Sequence, residues 1–206
     1  MTLHGAGRLC LIILLFLVCQ TRASTVEHLS VEQLTERADH IYLATVIGTP
    51  QSTNDTDDPS TRLHLSLSRV LKSGTPVESP SGTIEVLLPG GTIDGIRHQI
   101  AGMPHFAAGQ EIVLFLSKPD ASGRRWPIGL AQAKFDVQRQ AGRPAQVTRS
   151  LDGLHRLEPG GAARRVGGSA VLTDTDDPSS EAMSLVELLG RIQTRLGTRG
   201  QQRGRD

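Results

Sequence analysis

The chain has 206 residues with 22 basic against 21 acidic side chains and a net charge of +1 at neutral pH, so no charge excess points to nucleic acid or an anionic membrane. Both cysteines, Cys10 and Cys19, precede Ala23, which excludes a disulfide, a cysteine–zinc site and a thiol nucleophile from everything downstream. Aromatic residues make up only 3%, and the core must rest on Val, Ile and Leu with Tyr42, Phe106, Phe115, Trp126 and Phe135.

Arg8 is followed by an apolar run over residues 9–18 and then by Thr21-Arg22-Ala23, with small residues at the two positions a signal peptidase reads. This is the pattern of a secretory signal peptide, with the cut expected after Ala23. The run is about half of the roughly twenty residues that a bilayer-spanning helix needs, so no membrane attachment is expected after cleavage. Val18 is bulky where lipoprotein processing at Cys19 requires a small residue. A thiol-free exported domain suits a bacterial periplasm or the medium better than a eukaryotic secretory route. Residues 24–206 suffice for one domain with a real core.

Ser30 and Gln33 have the spacing of a capping box, and Val31, Leu34 and Ala38 recur at helical intervals, which predicts a helix over residues 30–39. Residues 41–47, rich in β-branched and apolar types, read as a buried strand. Leu63, Leu65 and Leu67 alternate with His64, Ser66 and Ser68, the mark of a strand with one wet face. Further strands are predicted at residues 83–88, 96–100, 111–116, 126–130 and 134–140. With hardly any helix between them, they argue for a mainly β protein, a single antiparallel OB-like barrel or sandwich. Residues 153–183 are dense in Gly, Pro, Arg and Asp and read as a linker. Ser184 and Glu187 repeat the capping-box spacing, and Leu185, Leu188, Leu189, Ile192 and Leu196 fall on one face of a C-terminal helix. The expected organisation is a signal over residues 1–23, a β-barrel domain over 24–152, the linker, and a helix with its tail over 184–206.

Residues 88–116, LPGGTIDGIRHQIAGMPHFAAGQEIVLFL, concentrate glycine, proline and histidine between two apolar runs. Gly90, Gly91 and Gly95 match no phosphate-binding glycine pattern, and a strand rather than a helix follows them. His98, His105 and Asp94 are the available metal ligands, but the bend at Gly102 and Pro104 separates the histidines, and no metal is expected. The stretch reads as turn punctuation at residues 94–95, 101–104 and 107–110. A loop so rigidly specified also presents a surface, and the partner-binding candidates are Gly90, Gly91, Asp94, His98, Met103, Pro104, His105 and Phe106.

The segments ADHIYLATV, LPGG and GMPHFAAGQEIVLFL, with a strand ending at Lys72-Ser73-Gly74, resemble a family of small exported bacterial proteins without assigned biochemistry. The resemblance spans residues 38–150, rests on structural motifs, and implies an accessory or inhibitory role beside an exported protease. The strand order and the LKSG turn are also distantly similar to netrin-like and metalloprotease-inhibitor barrels, which implies an OB-like barrel. Those inhibitors reach the enzyme's zinc through an N-terminal cysteine, a residue this chain lacks after Ala23.

Two acidic copies of DTDDPS, at residues 55–60 and 174–179, offer oxygen ligands to calcium but lack the glycine and glutamate of an EF-hand loop. They read as solvated turns. No serine elbow and no HExxH helix occurs, and the histidines are scattered; His40 reads as a helix-end histidine bonded to backbone. Arg191, Arg195, Arg199, Arg203 and Arg205 have no aromatic residue among them for base stacking and are expected on the outer helix face and solvated tail. The functional expectation is an exported, non-catalytic binding module without cofactor, with a protein partner and no nucleic acid. The alternative is an extracytoplasmic hydrolase whose polar residues converge only in the fold.

Overall fold

The computed structural model describes residues 24–53, 59–74, 82–149, 154–157, 163–166 and 183–203. The signal-like segment, both DTDDPS repeats and most of the predicted linker lie outside them or are only partly included.

After the short strand β1 (Ser24–Val26), the capping box forms as its spacing predicts: Gln33 donates its N–H to the Ser30 hydroxyl at 3.2 Å, and Ser30 donates its own to Oε1 of Gln33 at 2.8 Å. It starts helix α1 (Val31–Arg37). The far end of α1 is capped from another element. Lys72 Nζ donates to the carbonyls of Thr35 at 2.8 Å, of Glu36 and of Ala38, placing a cation on the negative end of the helix.

The next strands are β2 (His40–Thr53), β3 (Ser60–Ser73), β4 (Thr83–Pro89), β5 (Gly91–Ile93), β6 (Ile96–His98), β7 (Glu111–Leu116), β8 (Lys134–Gln138) and β9 (Gln146–Arg149). Then come β10 (Leu154–Leu157), β11 (Ala163–Val166), β12 (Met183–Ser184) and helix α2 (Leu185–Arg203). One antiparallel sheet has the order β12-β9-β8-β7-β2-β3-β4. The protein is therefore mainly β, antiparallel, with a short N-terminal and a C-terminal helix. The barrel closure expected from the strand spacing is not seen among the described residues, because β12 and β4 end the sheet without pairing to each other. Within the stretch read as linker, β10 and β11 pair as an antiparallel hairpin and β10 pairs in parallel with β1.

The central strands have cores on both faces. Along β2, Ile41 and Leu43 point to one cluster while Tyr42, Ala44 and Val46 point to the other, and β7 divides the same way. This is why both strands read as unbroken apolar runs. β3 buries Leu63, Leu65 and Leu67, with Val70 and Leu71 partly buried against the two cores, and leaves Ser66 and Ser68 exposed as the alternation predicts. Register shifts between Ile41 and Tyr42, Leu43 and Ala44, and Ile47 and Gln51 bend the β2–β3 pair, the effect expected of bulges. The outer edge of β4 is covered in part: Arg125 donates its N–H to the Leu87 carbonyl at 2.8 Å.

The strand expected at residues 126–130 is not formed. Pro127, which has no N–H to give a ladder, makes a single bridge to Leu116, and the chain turns into a 3-10 helix, Leu130–Ala133.

α2 closes the first core with Leu185, Leu188 and Ile192, and Ser184 caps it by accepting from the Glu187 N–H at 3.1 Å. Two of its arginines depart from expectation. Arg191 clasps Glu32 of α1 through two hydrogen bonds of 2.7 and 2.9 Å, and Arg195 reaches Glu36 at 2.8 Å. Their four-residue spacing matches that of the glutamates, so the pairs bridge the two helices rather than pointing into solvent.

Candidate functional site

The segment after β4 is shaped by two close approaches. A Cβ on Gly90, where φ is +87°, would stand 2.9 Å from the His98 carbonyl, and one on Gly91 would stand 2.7 Å from the Ser60 carbonyl. Any side chain at either position would force apart β3, the start of β5 and the end of β6. Thr61 donates its hydroxyl to the Gly90 carbonyl at 2.7 Å, and Ser52 accepts the Thr92 N–H at 2.8 Å, which ties the hairpin β5–β6 to the main sheet. The hairpin turns at Asp94 (φ 51°) and Gly95 (φ 74°), the primed two-residue turn expected of an Asp-Gly pair.

Residues 99–107 then return across the second core. Met103 and Phe106 pack on that core while remaining partly exposed. Lys134, only 6% exposed, holds the segment from below. Its Nζ donates to the His105 carbonyl at 2.6 Å, pairs with Asp136 at 3.0 Å and lies 5.5 Å from the centre of the Phe106 ring.

Between the hairpin and this returning segment lies a cavity of about 240 Å³. Gly90, Gly91, His98 and Met103 line it, together with Pro104, His105 and Phe106. Asp94 stands apart at the hairpin tip and does not line it. Sequence reasoning missed the further lining residues Ser52, Leu88, Arg97, Gln99 and Ile100. Arg97 was within reach of that reasoning, as the immediate neighbour of His98 on a predicted strand. The lining mixes the apolar side chains of Leu88, Ile100, Met103 and Phe106 with Arg97, His98 and His105, and among the described residues no aspartate or glutamate lines the cavity. Its size falls below the roughly 300–1,000 Å³ of small-molecule and cofactor sites, which suits one or two inserted side chains.

A second polar cluster lies at the far end of β2. His40 does not sit at the helix end; it opens β2 with a ring only 1% exposed. Its Nε2 lies 2.9 Å from the Asp39 carboxylate, and its Nδ1 faces the Tyr42 hydroxyl at 3.0 Å and the Ser73 hydroxyl at 3.4 Å. Burial lowers the His40 pKa, with Arg125 and Lys72 adding to the effect and Asp39 opposing it. Burial also raises that of Tyr42. The segments ADH and KSG, separate in the chain, thus meet in space.

Among the described residues no three His, Asp, Glu or Cys side chains converge as a metal site, and no helix is long and apolar enough to cross a membrane. No family model, curated protein or solved structure matches the chain.

Proposed function

We propose that this protein is an exported, non-catalytic binding module that recognises another protein through the cavity between the β5–β6 hairpin and residues 99–107. The observation that carries the reading is convergence: seven of the eight candidate residues, spread from Gly90 to Phe106, line one concavity whose volume, about 240 Å³, suits side chains of a partner. The backbone around it is held by close contacts at Gly90 and Gly91 and by the buried Lys134. A rigid rim of this kind loses little conformational freedom on binding. Export rests on the signal-like N-terminus. An exported protease as partner, to be accompanied or inhibited, is suggested by the family resemblance and not by the geometry. The OB-like comparison belongs to the same proposal and is supported by the bent antiparallel sheet and the LKSG turn that ends β3.

The test is capture from the host's envelope and medium on immobilised protein, with a Met103→Ala/Phe106→Ala variant alongside. A partner held by the wild type and lost by a variant that still unfolds cooperatively supports the reading. Equal capture by both would place recognition elsewhere.

The hydrolase alternative has one observation in its favour, the Asp39–His40–Ser73 alignment, in which Ser73 is exposed and its hydroxyl faces a buried imidazole backed by a carboxylate. In that reading Ser73 is the nucleophile, His40 the base and Asp39 the group that orients it. The Tyr42 hydroxyl, however, is closer to the same ring nitrogen than Ser73 is, which is why the binding reading is preferred. Turnover of a chromogenic ester that disappears in Ser73→Ala would reverse this preference.

A further inference from the structure

Resting on the reading of the cavity as a recognition site, we propose that its occupant is an extended acidic and apolar segment of the partner protein. In this arrangement an apolar side chain enters the cavity and an adjacent carboxylate is held by Arg97.

The charge distribution carries the first half of the argument. Arg37, Arg62, Arg124, Arg139, Arg191 and Arg195 each sit within 3.5 Å of a carboxylate oxygen. Arg97 is exposed, lines the cavity, and has no ion pair or hydrogen bond among the described residues. Its cavity neighbours His98 and His105 offer further polar groups, and among the described residues no acidic side chain lines the cavity. An unpaired guanidinium that lines the same cavity as the apolar side chains of Leu88, Ile100, Met103 and Phe106 matches a ligand that brings a carboxylate and an aliphatic group together. A basic or purely apolar ligand would leave the rim unsatisfied.

The backbone carries the second half. The turn at Asp94 and Gly95 closes on the pair Ile93 and Ile96, so the next pair, Thr92 and Arg97, is one whose main-chain groups face away from the hairpin. The Thr92 N–H confirms the phase, since it points outward to the Ser52 hydroxyl at 2.8 Å. The N–H and carbonyl of Arg97 therefore face the opposite edge, and no described strand pairs with β6 on that side. An extended peptide added there would take its main-chain bonds from the same residue that supplies the guanidinium, the arrangement by which strand addition joins affinity to side-chain selection.

The experiment is fluorescence anisotropy of the purified protein with three labelled peptides: Gly-Glu-Leu-Glu-Leu-Gly, its lysine counterpart Gly-Lys-Leu-Lys-Leu-Gly, and Gly-Glu-Gly-Glu-Gly-Gly, which lacks the apolar side chains. Wild type is expected to prefer the first to either of the others, with binding that weakens as salt screens the pair. Arg97→Glu is expected to weaken that peptide by about tenfold or more and to reverse the preference toward the lysine peptide, with an unchanged melting temperature because the side chain is exposed. Wild-type binding of the lysine peptide as tightly as the glutamate peptide, abolished by Met103→Ala/Phe106→Ala, would overturn the inference while leaving the recognition site standing. Failure to bind any peptide, with a protein partner still captured through the cavity, would overturn it as well. Loss of cavity-dependent capture altogether removes the reading on which it rests.

Discussion

Gly74 donates its N–H to the Asp39 carbonyl at 2.9 Å, and a Cβ built on Gly74 would stand 2.1 Å from the Asp39 carboxylate. A glycine at the end of β3 thus leaves the space in which that carboxylate reaches His40.

Gly74→Ala is expected to displace the carboxylate and cost about 1–2 kcal/mol, the loss of a charge-assisted hydrogen bond to a half-open site. Asp39→Ala should cost a similar amount. In the double variant the second change should be nearly free, giving a coupling energy close to either single cost in urea titrations. Additive costs would mean that the alanine clashes with some other group.

The lowered pKa of His40 sets a pH dependence. Burial of the ring, the largest cause, holds its folded value below the unfolded 6.5, so the unfolded state takes up the proton first as pH falls. Stability from this group is complete above about pH 6.5 and declines as pH drops from there toward the folded value. Asp39, Arg125 and Lys72 are the charged groups acting on the ring, the first opposing the shift and the other two supporting it. Unfolding free energies measured between pH 7.5 and about 5 should show this decline, and His40→Gln should flatten it. An unchanged slope in the variant would assign the decline to other groups.

Glu32 governs a second, more acidic limb. The two hydrogen bonds from Arg191 pull its pKa down from 4.5 to about 2, so its contribution is present above pH 4.5 and fades as pH falls through 2. The side chains of Arg191 and Glu32 are 38% and 42% exposed, and screening leaves about 0.5–1 kcal/mol for the pair. Glu32→Gln should remove that much at pH 7 in low salt, and less in 1 M NaCl. An equal loss at both salt concentrations would contradict an electrostatic origin.

Ile192 is fully buried between α2 and the first core, whereas Val186, earlier on the same helix, is 76% exposed. Ile192→Ala should destabilise by about 2–5 kcal/mol through lost burial and a residual cavity. Val186→Ala should stay within about 0.5 kcal/mol. Thermal unfolding separates the two, and similar small effects would show that α2 does not belong to the cooperative unit.

Lys134 tests how the cavity wall is held. Lys134→Met keeps the aliphatic stem but leaves the His105 carbonyl without its Nζ donor and removes the Lys134 partner of Asp136, which retains Gln110. The expected cost is about 1–3 kcal/mol, accompanied by faster hydrogen exchange at residues 103–106 than at β2. Unchanged exchange there would show that the core contacts of Met103 and Phe106 suffice to hold the segment.

What the sequence determined by itself was local. The capping box at Ser30 with Gln33, the Ser184 hydroxyl on the Glu187 N–H, the hairpin turn at Asp94 and Gly95, and the alternation of Leu63, Leu65 and Leu67 each involve residues a few positions apart. Spacing along the chain specifies such contacts because helix and strand periods are short. The glycine-rich stretch was legible as a rigid loop for the same reason, and most of its candidate residues line the cavity.

The tertiary structure decided the rest. The strand expected at residues 126–130 gave way to a bridge and a 3-10 turn because Pro127 has no ladder donor. His40 drew its partners from Tyr42 and from Ser73 on the neighbouring strand, Arg191 found Glu32 on another helix, and Arg97 was left without a carboxylate among the described residues. Sheet order and openness depend on which distant strands pair. That choice is made by the simultaneous burial of two apolar faces, so no single segment of the chain encodes it.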